Sequence, residues 1–389
     1  MTDCVICYQP VEDEIEHPIE CSICHSKIHA ECWKMVIDKD NCPYCRNPMN
    51  IDVIYIKVYN INDIKTTESE SIEVVDMEID SLMFAESKFK HIKFVNCKTT
   101  ANISKLFSGS NQLKSLDLSG LDTINATNMS DMFEGCSRLQ TLDLSSFNTS
   151  NVTDMNGMFI FTKRLQTLDL SNFNTSHVTN MSDMFEGCKQ LQALDLSNFN
   201  TSNVTDMSWM FSECDSLQAL DLSNFNTSNV TDMNGMFSKC KQIQTLDLSN
   251  FNTSNVTNMS DMFDGCISLR TVDLSNFNTS NVTDMSGMFE GCFDLQTLDL
   301  SSFNTSNVTN MCCMFAFNEL LQTLDLSNFN TRNVANMNSM FSTCGGLQTL
   351  DLSNFNTSNV TDMCFMFEGC SSLKNTNNTY LNEKYEFSN

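Results

Sequence analysis

Hydrophobic residues return at the same places every 26 residues through most of the chain. A fixed period of this length is typical of a solenoid, in which each repeat forms one turn that stacks on the next. The pattern predicts ten such turns over residues 113–372. One aspartate marks every turn without a single insertion, and its copies are Asp117, Asp143, Asp169, Asp195, Asp221, Asp247, Asp273, Asp299, Asp325 and Asp351.

The repeat divides into two segments with different hydrophobic spacing. We number it so that Leu139 is position 1 and Arg164 is position 26, and we call the residues at one position in successive turns a column. Positions 1, 4, 6 and 9 are apolar, which predicts a short strand whose alternating residues face inward. Positions 14, 17, 20 and 21 are apolar at helical spacing, which predicts a helix-like turn on the opposite side. The expected fold is therefore a parallel β-solenoid.

Most of the recurring residues have a structural explanation. The methionine and phenylalanine columns are expected to fill the interior, since methionine adapts to irregular space between turns. Cysteine recurs at position 24, where stacked side chains point the same way, so we expect buried free thiols and not disulfides. The Asn-Thr-Ser and Asn-Val-Thr sequences match glycosylation sequons, but we interpret them as side-chain ladders that satisfy loop backbone groups.

The aspartate column predicts an acidic face. Aspartates stacked at about 4.8 Å would repel one another by roughly 1 kcal/mol per neighbouring pair, even in a water-like dielectric. Unless cations or a basic partner relieve this repulsion, some of these carboxyl groups should have raised pKa values. We therefore expect a higher melting temperature at pH 5 than at pH 7.5 in low salt.

Irregular residues gather at positions 19, 22, 25 and 26, and aromatic residues on an otherwise polar edge are candidates for a partner surface. The variable edge includes Trp209, Phe293 and Phe365, which we take as the main candidates for contact with a protein substrate or partner. Tolerated drift in loops explains the same pattern equally well. The remaining members of the set are Ile160, Ile267, Cys313 and Phe317.

Charge and hydrophobicity exclude several partners. The chain has 48 acidic and 22 basic residues, a net charge of −26, which argues against binding to nucleic acid or to an anionic membrane surface. No apolar run of about 18 residues is present, so no membrane span is expected. The first residues do not combine a basic stretch with an apolar one, so no secretory signal is expected. Together with the many free cysteines, this predicts an intracellular, cytoplasmic protein, with the nucleus also open.

The first 50 residues have the spacing of zinc ligands. Two ligands separated by two residues, both cysteine or one histidine and one cysteine, reach one tetrahedral Zn²⁺, and four ligands close a structural site. Four such pairs predict two Zn²⁺ ions, which would supply the folding free energy that so short a segment lacks. His25 is an alternative to Cys24 as the fourth ligand. The expected ligands are Cys4, Cys7, Cys21, Cys24, His29, Cys32, Cys42 and Cys45.

This segment resembles the RING finger family, in the variant with cysteine as fourth and histidine as fifth ligand. The resemblance rests on Cys-Val-Ile-Cys at residues 4–7 and on Cys-Pro-Tyr-Cys-Arg at residues 42–46. It implies a small α+β domain over residues 1–50 with interleaved metal sites. The middle of the segment suits a PHD finger equally well, but the short last gap and the Cys-Pro-x-Cys-Arg ending favour RING. The implied sets are Cys4, Cys7, His29 and Cys32 for one zinc, and Cys21, Cys24, Cys42 and Cys45 for the other.

RING fingers act as ubiquitin ligases by binding a ubiquitin-loaded conjugating enzyme and positioning the thioester for attack. By resemblance, Ile6 and Pro43 would contact the conjugating enzyme and Arg46 would hold ubiquitin. The tryptophan that many RING fingers place four residues after the sixth ligand is Val36 here, whereas Trp33 directly follows the sixth ligand. A purely binding zinc finger therefore stays open.

The repeats resemble the leucine-rich repeats of the BspA type, on the sequences MFEGC and LDLSNFNTSNVT. The resemblance covers all ten turns and implies a right-handed parallel solenoid, but it does not assign a function. Residues 51–112 are expected to form a lead-in with a strand, a polar linker and a degenerate first turn, and residues 373–389 a closing cap. An adhesin would need the signal peptide that the sequence does not show.

Two functions are compatible with these features. The first is a RING-type ubiquitin ligase whose solenoid binds a substrate or partner protein. The second is a non-enzymatic scaffold in which the zinc finger and the leucine-rich repeats only bind. The repeats contain no arrangement typical of hydrolytic catalysis, so no catalytic residue is expected there.

Overall fold

The computed structural model describes residues 55–385 and, of the preceding residues, two short strands. These are β1 (Ile19–Glu20) and β2 (Lys27–Ile28), which pair antiparallel. The eight expected zinc ligands and the expected contact residues Ile6, Pro43 and Arg46 lie outside the described residues. The RING-like domain therefore stays a prediction from the sequence.

The solenoid starts with parallel strands in the lead-in. One sheet has the order β3 (Ile56–Val58), β4 (Ser71–Val75), β6 (His91–Val95) and β8 (Ser115–Asp117). The spacing between paired residues grows along this sheet toward the length of the repeat, since Ile72 pairs with Ile56 and Ile92, and Ile92 with Leu116. A second parallel sheet contains β5 (Glu78–Ile79), β7 (Cys97–Thr99) and β9 (Leu121–Asp122).

A short helix lies near each end of the described solenoid. Helix α1 (Ile61–Thr66) starts at the N-cap Asn60, whose side chain accepts from two backbone N–H groups. Helix α2 (Thr379–Lys384) starts at Asn378 and buries Leu381. After it, the ring of Tyr385 packs edge-on against Phe367 at 5.1 Å between centroids, which covers the last ring of the core.

Parallel pairing confirms the predicted β-solenoid, but the longest ladder is not where the hydrophobic pattern placed it. Position 16 forms a parallel bridge from each turn to the next between Asn102 and Asp362. In the leucine segment, pairing is limited to β8 and β9, to β10 (Thr245–Leu246) with β11 (Thr271–Val272), and to one bridge. Nearby carbonyls of this segment instead accept from asparagine side chains of the next turn. The predicted strand is therefore present only in part.

The predicted helix-like turn contains no α-helix within residues 113–372. Positions 19 and 23 have left-handed backbone conformations, as at Gly157 (φ 57°) and Phe161 (φ 56°). Such residues interrupt an α-helix. The backbone N–H groups alternate between partners, since Met132 donates to Met129 within the turn at 3.3 Å while Met129 donates to Asp154 of the next turn at 3.0 Å. Hydrogen bonds between turns thus replace half of the helical ones.

The interior matches the predicted columns. The phenylalanines at position 21 form one continuous stack, with ring centroids 5.5–6.0 Å apart and planes within 12° of each other from Phe107 to Phe367. The leucine, valine and methionine columns are buried beside this stack. Offset stacking of this kind adds to the free energy gained by burying the rings.

The cysteine column consists of buried free thiols, as predicted. Each thiol donates to a phenylalanine carbonyl of the preceding turn, as Cys240 does to Phe211 at 3.1 Å. Where the column has asparagine, the amide takes over this role, since Asn318 Nδ2 donates to Phe289 O of the preceding turn at 2.8 Å. Where it has threonine, the Thr162 hydroxyl donates to Phe159 O of its own turn at 2.7 Å. The column therefore satisfies core carbonyls and needs no metal or disulfide.

The threonine at position 11 is a core contact that the hydrophobic pattern missed. The Thr149 hydroxyl donates to the carbonyl of Asn174 in the next turn at 3.1 Å and accepts from its N–H at 2.8 Å. Asparagines of the sequon-like sequences are bonded as well, since Asn203 Nδ2 donates to Ser176 O at 2.7 Å. These contacts confirm the ladder interpretation of the Asn-Thr-Ser and Asn-Val-Thr sequences.

Candidate interaction surface

The aspartate row is one exposed face of the solenoid, and we define it as the position-5 column from Asp143 to Asp351. Each carboxylate accepts from the serine two residues later, as Asp247 Oδ1 does from the Ser249 N–H at 3.0 Å. Hydrogen bonds from the Ser249 hydroxyl and N–H lower the pKa of Asp247, and repulsion from Asp273 and Asp221 opposes them weakly.

The expectation of raised pKa values in this row is wrong. The pKa is lowered throughout the row, because each carboxylate is solvent-exposed and has its own serine donors. Water screens the repulsion between exposed neighbours, while the local hydrogen bonds stabilise the charged form. The row is therefore a stable acidic surface with no need of a relieving partner.

A second group of acids does have raised pKa values, and it lies on the turn segment at positions 16, 19 and 22. Burial raises the pKa of Glu186 to about 7, and the neighbouring Asp183 carboxylate adds to this effect. Burial is also the largest cause for the other members. These are Asp131, Asp183, Asp232, Asp261, Asp264 and Glu290.

The left-handed backbone at position 19, together with packing between turns, determines which turns carry a large side chain at that position. A side chain in one turn lies across the next turn, which then often has glycine: a Cβ on Gly235 would lie 2.6 Å from Trp209 Cδ2. Asp261 lies over Gly287 in the same way, with its Cγ 3.3 Å from the Cβ that glycine lacks. The column therefore combines a backbone preference for glycine or aspartate with a need for space.

The part of the variable edge at positions 25 and 26, together with the neighbouring positions 2 and 23, is apolar toward its C-terminal end. We define the apolar edge patch as Ile267, Phe293, Phe317 and Leu320. Phe293, Phe317 and Leu320 are 42%, 41% and 47% exposed. The turns that carry them are adjacent, since Asp294 N donates to Ile267 O at 3.1 Å and Gly291 N donates to Ala316 O at 2.8 Å.

The same edge is basic toward its N-terminal end. We define the basic groove by its lining residues Lys114, Arg138, Gln140 and Arg164, all of which are exposed. Sequence analysis missed this feature, although basic residues at positions 26 and 2 of neighbouring turns are a visible signal for it. The edge thus changes character along the solenoid, whereas the aspartate row stays uniform.

The predicted partner residues have different environments. Trp209 is half-buried over Gly235 and is therefore a packing residue more than a free contact. Phe293 belongs to the apolar edge patch, while Phe365 is exposed in the position-19 column of the last turn. Leu320 was not among the sequence candidates, because a single leucine after a glutamate has no periodic signal.

No group of three or more His, Cys, Asp or Glu side chains within residues 55–385 is placed to hold a metal ion. No helix in the described part of the chain is long and apolar enough to cross a membrane. The features that the structure offers for recognition are therefore the aspartate row, the apolar edge patch and the basic groove.

The repeats match the profile of a protein family described as "Mycoplasma protein of unknown function, DUF285". The matches are residues 76–193, 160–271, 213–299, 233–326 and 295–387, so they overlap and cover most of the chain. The chain belongs to this family. The DUF285 matches extend into the lead-in, in agreement with the parallel strands found there.

The DUF285 chain is also similar to solved leucine-rich-repeat structures. A leucine-rich cell surface protein from Faecalibacterium prausnitzii is 15% identical with a TM-score of 0.38, covering 77% of this chain and 82% of that one. A leucine-rich-repeat protein from Bacteroides ovatus is 16% identical with a TM-score of 0.38, and 78% of each chain is covered. One from Eubacterium ventriosum is 15% identical with a TM-score of 0.35, covering 81% of this chain and 87% of that one.

A search of curated proteins finds no match. The comparisons contradict the expected intracellular, cytoplasmic location, because the similar structures include a protein described as a cell surface protein. The location expected from the sequence is therefore withdrawn. The leucine-rich-repeat solenoid of BspA type is confirmed, whereas the DUF285 matches do not include the RING-like segment.

Proposed function

We propose that this DUF285 chain is a protein-interaction scaffold that recognises its partner through the apolar edge patch. The observation that carries the proposal is the juxtaposition of Phe293 with Phe317 and Leu320 in adjacent turns, each more than two-fifths exposed. Clustered exposed aromatic and aliphatic side chains with a polar rim are typical of protein-binding surfaces.

The charge around the patch indicates the kind of partner. Its neighbours in the sequence include Glu290 and Glu319, while Asp294 is paired with Arg270 at 3.8 Å, and the whole chain has a net charge of −26. Complementary potentials across an interface steer association and suppress wrong partners. The partner we propose is therefore a protein that offers apolar side chains flanked by basic ones.

The aspartate row has a different role in this proposal. Its composition is nearly the same in every turn, so it offers no local shape to distinguish one partner from another. It would attract a basic partner over a distance, and that attraction would weaken with salt. Specific contact would come from the edge, where the turns differ.

The test compares the full chain with the double variant Phe317→Ser/Leu320→Ser. Proteins captured from the organism that encodes the chain are identified, and the binding of each purified candidate is then measured by calorimetry. We expect at least tenfold weaker binding by the double variant and unchanged binding by Phe365→Ser, which alters an exposed aromatic ring in another column. Equal binding by all three proteins would refute the proposal.

A second candidate function, a RING-type ubiquitin ligase, is favoured by the ligand spacing of residues 1–50. The zinc-binding residues proposed are Cys4, Cys7, Cys21, Cys24, His29, Cys32, Cys42 and Cys45. Bound zinc would hold the segment folded, with Ile6, Pro43 and Arg46 as the proposed contacts to a conjugating enzyme and ubiquitin. Nothing in the described residues bears on this activity.

Two measurements on the full chain test this candidate. Elemental analysis should give two Zn²⁺ per chain, with a loss in the Cys42→Ser/Cys45→Ser variant but not in Cys364→Ser. Ubiquitin chains should form with at least one of a panel of conjugating enzymes and should disappear in Ile6→Ala. If zinc is bound but no ubiquitin chains form, the segment is a zinc finger that only binds. If no zinc is bound, the ubiquitin-ligase candidate is refuted.

A further inference from the structure

The basic groove lies on the variable edge, where four side chains from two successive repeats meet. Lys114 and Gln140 are at position 2 of neighbouring turns, and Arg138 and Arg164 are at position 26. The position-2 backbone stacks from turn to turn, since Gln166 N donates to Gln140 O at 3.4 Å. The four residues line a groove of about 340 Å³ that is open to solvent.

The cations of the groove have no carboxylate within ion-pair distance among the described residues, although Lys114 is close enough to Glu70 to lower its pKa. Other basic residues of the same edge are paired, as Lys189 is with Glu213 at 2.9 Å and Lys241 with Asp215 at 2.9 Å. Lys114, Arg138 and Arg164 form no ion pair in residues 55–385, although acidic residues outnumber basic ones by 48 to 22 in the whole chain. Three unpaired cations beside one another in so acidic a protein need an explanation.

Lys114 and Lys90 also place positive charge near His91, which lies at this end of the edge. His91 lies in the turn before Lys114 and its Nδ1 is 2.7 Å from Ser115 Oγ. Burial lowers the pKa of His91, and the charges of Lys114 and Lys90 lower it further, while Glu70 opposes them. A positive field that disfavours a protonated imidazole favours a bound anion.

The side chains suit a tetrahedral oxyanion better than a simple carboxylate. Two guanidinium groups from turns about 4.8 Å apart offer planar forks of donors, which bind phosphate oxygens bidentately. Lys114 adds a compact charge, and the Gln140 amide adds two more donors. The net charge of −26 repels an extended polyanion, so the ligand must be a single, locally charged group.

We propose that the basic groove binds a phosphate group, held by Arg138 and Arg164 with Lys114 completing the charge and Gln140 donating from the side. The groove lies on the same edge as the apolar edge patch but several turns away along the chain. The proposal is one of binding alone and includes no chemical step.

Calorimetry on the full chain at low ionic strength tests the proposal with two probes: inorganic phosphate, and a short peptide with one phosphoserine. We expect saturable binding of at least one probe, at least tenfold weaker in Arg138→Gln and in Arg164→Gln, with acetate showing no binding. Tighter binding of the peptide would place the phosphate on a partner protein, and tighter binding of inorganic phosphate would indicate a site for the free anion.

The control variant is Lys241→Gln, which removes a cation from the same edge that already has a carboxylate partner. It should bind both probes like the parent chain. No saturable binding of either probe would overturn the proposal, and so would an equal loss of binding in the control variant. Arg138 and Arg164 are exposed and Lys241 is half-buried, so each substitution should be tolerated, and circular dichroism checks that each variant is folded.

Discussion

The indole of Trp209 lies directly over Gly235 of the next turn, so that a Cβ on Gly235 would lie 2.6 Å from Trp209 Cδ2. Gly235 also has a left-handed backbone with φ +59°. Its lack of a side chain therefore serves two purposes, since it relieves backbone strain and leaves space for the ring. The tryptophan is seated by its neighbour in the solenoid, which limits how far it projects toward a partner.

We predict that Gly235→Ala destabilises the chain by about 2 kcal/mol or more, because left-handed strain adds to the displacement of the indole. In a Trp209→Ser background the cost should fall to about 1 kcal/mol, since only the backbone strain remains. Denaturant unfolding of the four proteins in this double-mutant cycle measures the coupling. Gly345→Ala is the control, because the added Cβ would meet its nearest atom at 3.8 Å. If the destabilisations by Gly235→Ala and Trp209→Ser were additive, the two residues would not be in contact.

Glu186 should make the chain less stable as the pH rises. Burial raises the pKa of Glu186 from its ordinary value of 4.5 to about 7. Its contribution to stability is therefore fully present below pH 4.5 and is lost as the pH rises through 7. Glu186→Gln should therefore stabilise the chain by about 1–2 kcal/mol at pH 8 after allowance for solvent screening, and have little effect at pH 4.

Thermal unfolding of Glu186→Gln at both pH values provides the measurement. Glu368→Gln is the matched control, because Glu368 occupies the same position in the last turn and is exposed. It should leave the difference between the two pH values unchanged. Equal effects of the two substitutions at pH 8 would contradict the role of burial.

The aspartate row should act in the opposite direction. Because hydrogen bonds from Ser249 lower the pKa of Asp247, its contribution to stability is present above the ordinary pKa of 3.8 and is lost as the pH falls through the lowered folded-state pKa. Asp247→Asn should lower the melting temperature at pH 7, and the difference from the parent should shrink as the pH falls through the lowered folded-state pKa. A higher melting temperature of Asp247→Asn at pH 7 in low salt would show that repulsion within the row dominates after all.

The described cysteines should differ widely in reactivity. Cys240 is fully buried with its pKa raised well above the usual range by burial, whereas Cys364 is exposed. Iodoacetamide at pH 8.5 should therefore label Cys364 at least a hundredfold faster than Cys240 in the folded chain, as measured by peptide mass spectrometry. Both should react equally in denaturant, and fast labelling of Cys240 in the folded chain would contradict a continuous buried column.

The period and the core were predictable because each turn of a solenoid repeats the same contacts with its neighbouring turns. A residue such as Phe159 is buried in every copy of its turn, and an unbroken step of 26 residues shows this directly in the sequence. The cysteine and asparagine columns were predictable for the same reason, since a polar group that recurs in every turn must have a recurring partner.

The sequence by itself thus determined the stacking, the buried columns and the acidic face, and it predicts zinc ligands from their spacing in the first 50 residues. Only the tertiary structure showed that local serine donors outweigh repulsion between aspartates, that Trp209 is seated over Gly235, and that Arg138 and Arg164 meet in one groove. These relations join residues of different turns. Their outcome depends on burial, hydrogen-bond geometry and distance, which a repeating pattern does not contain.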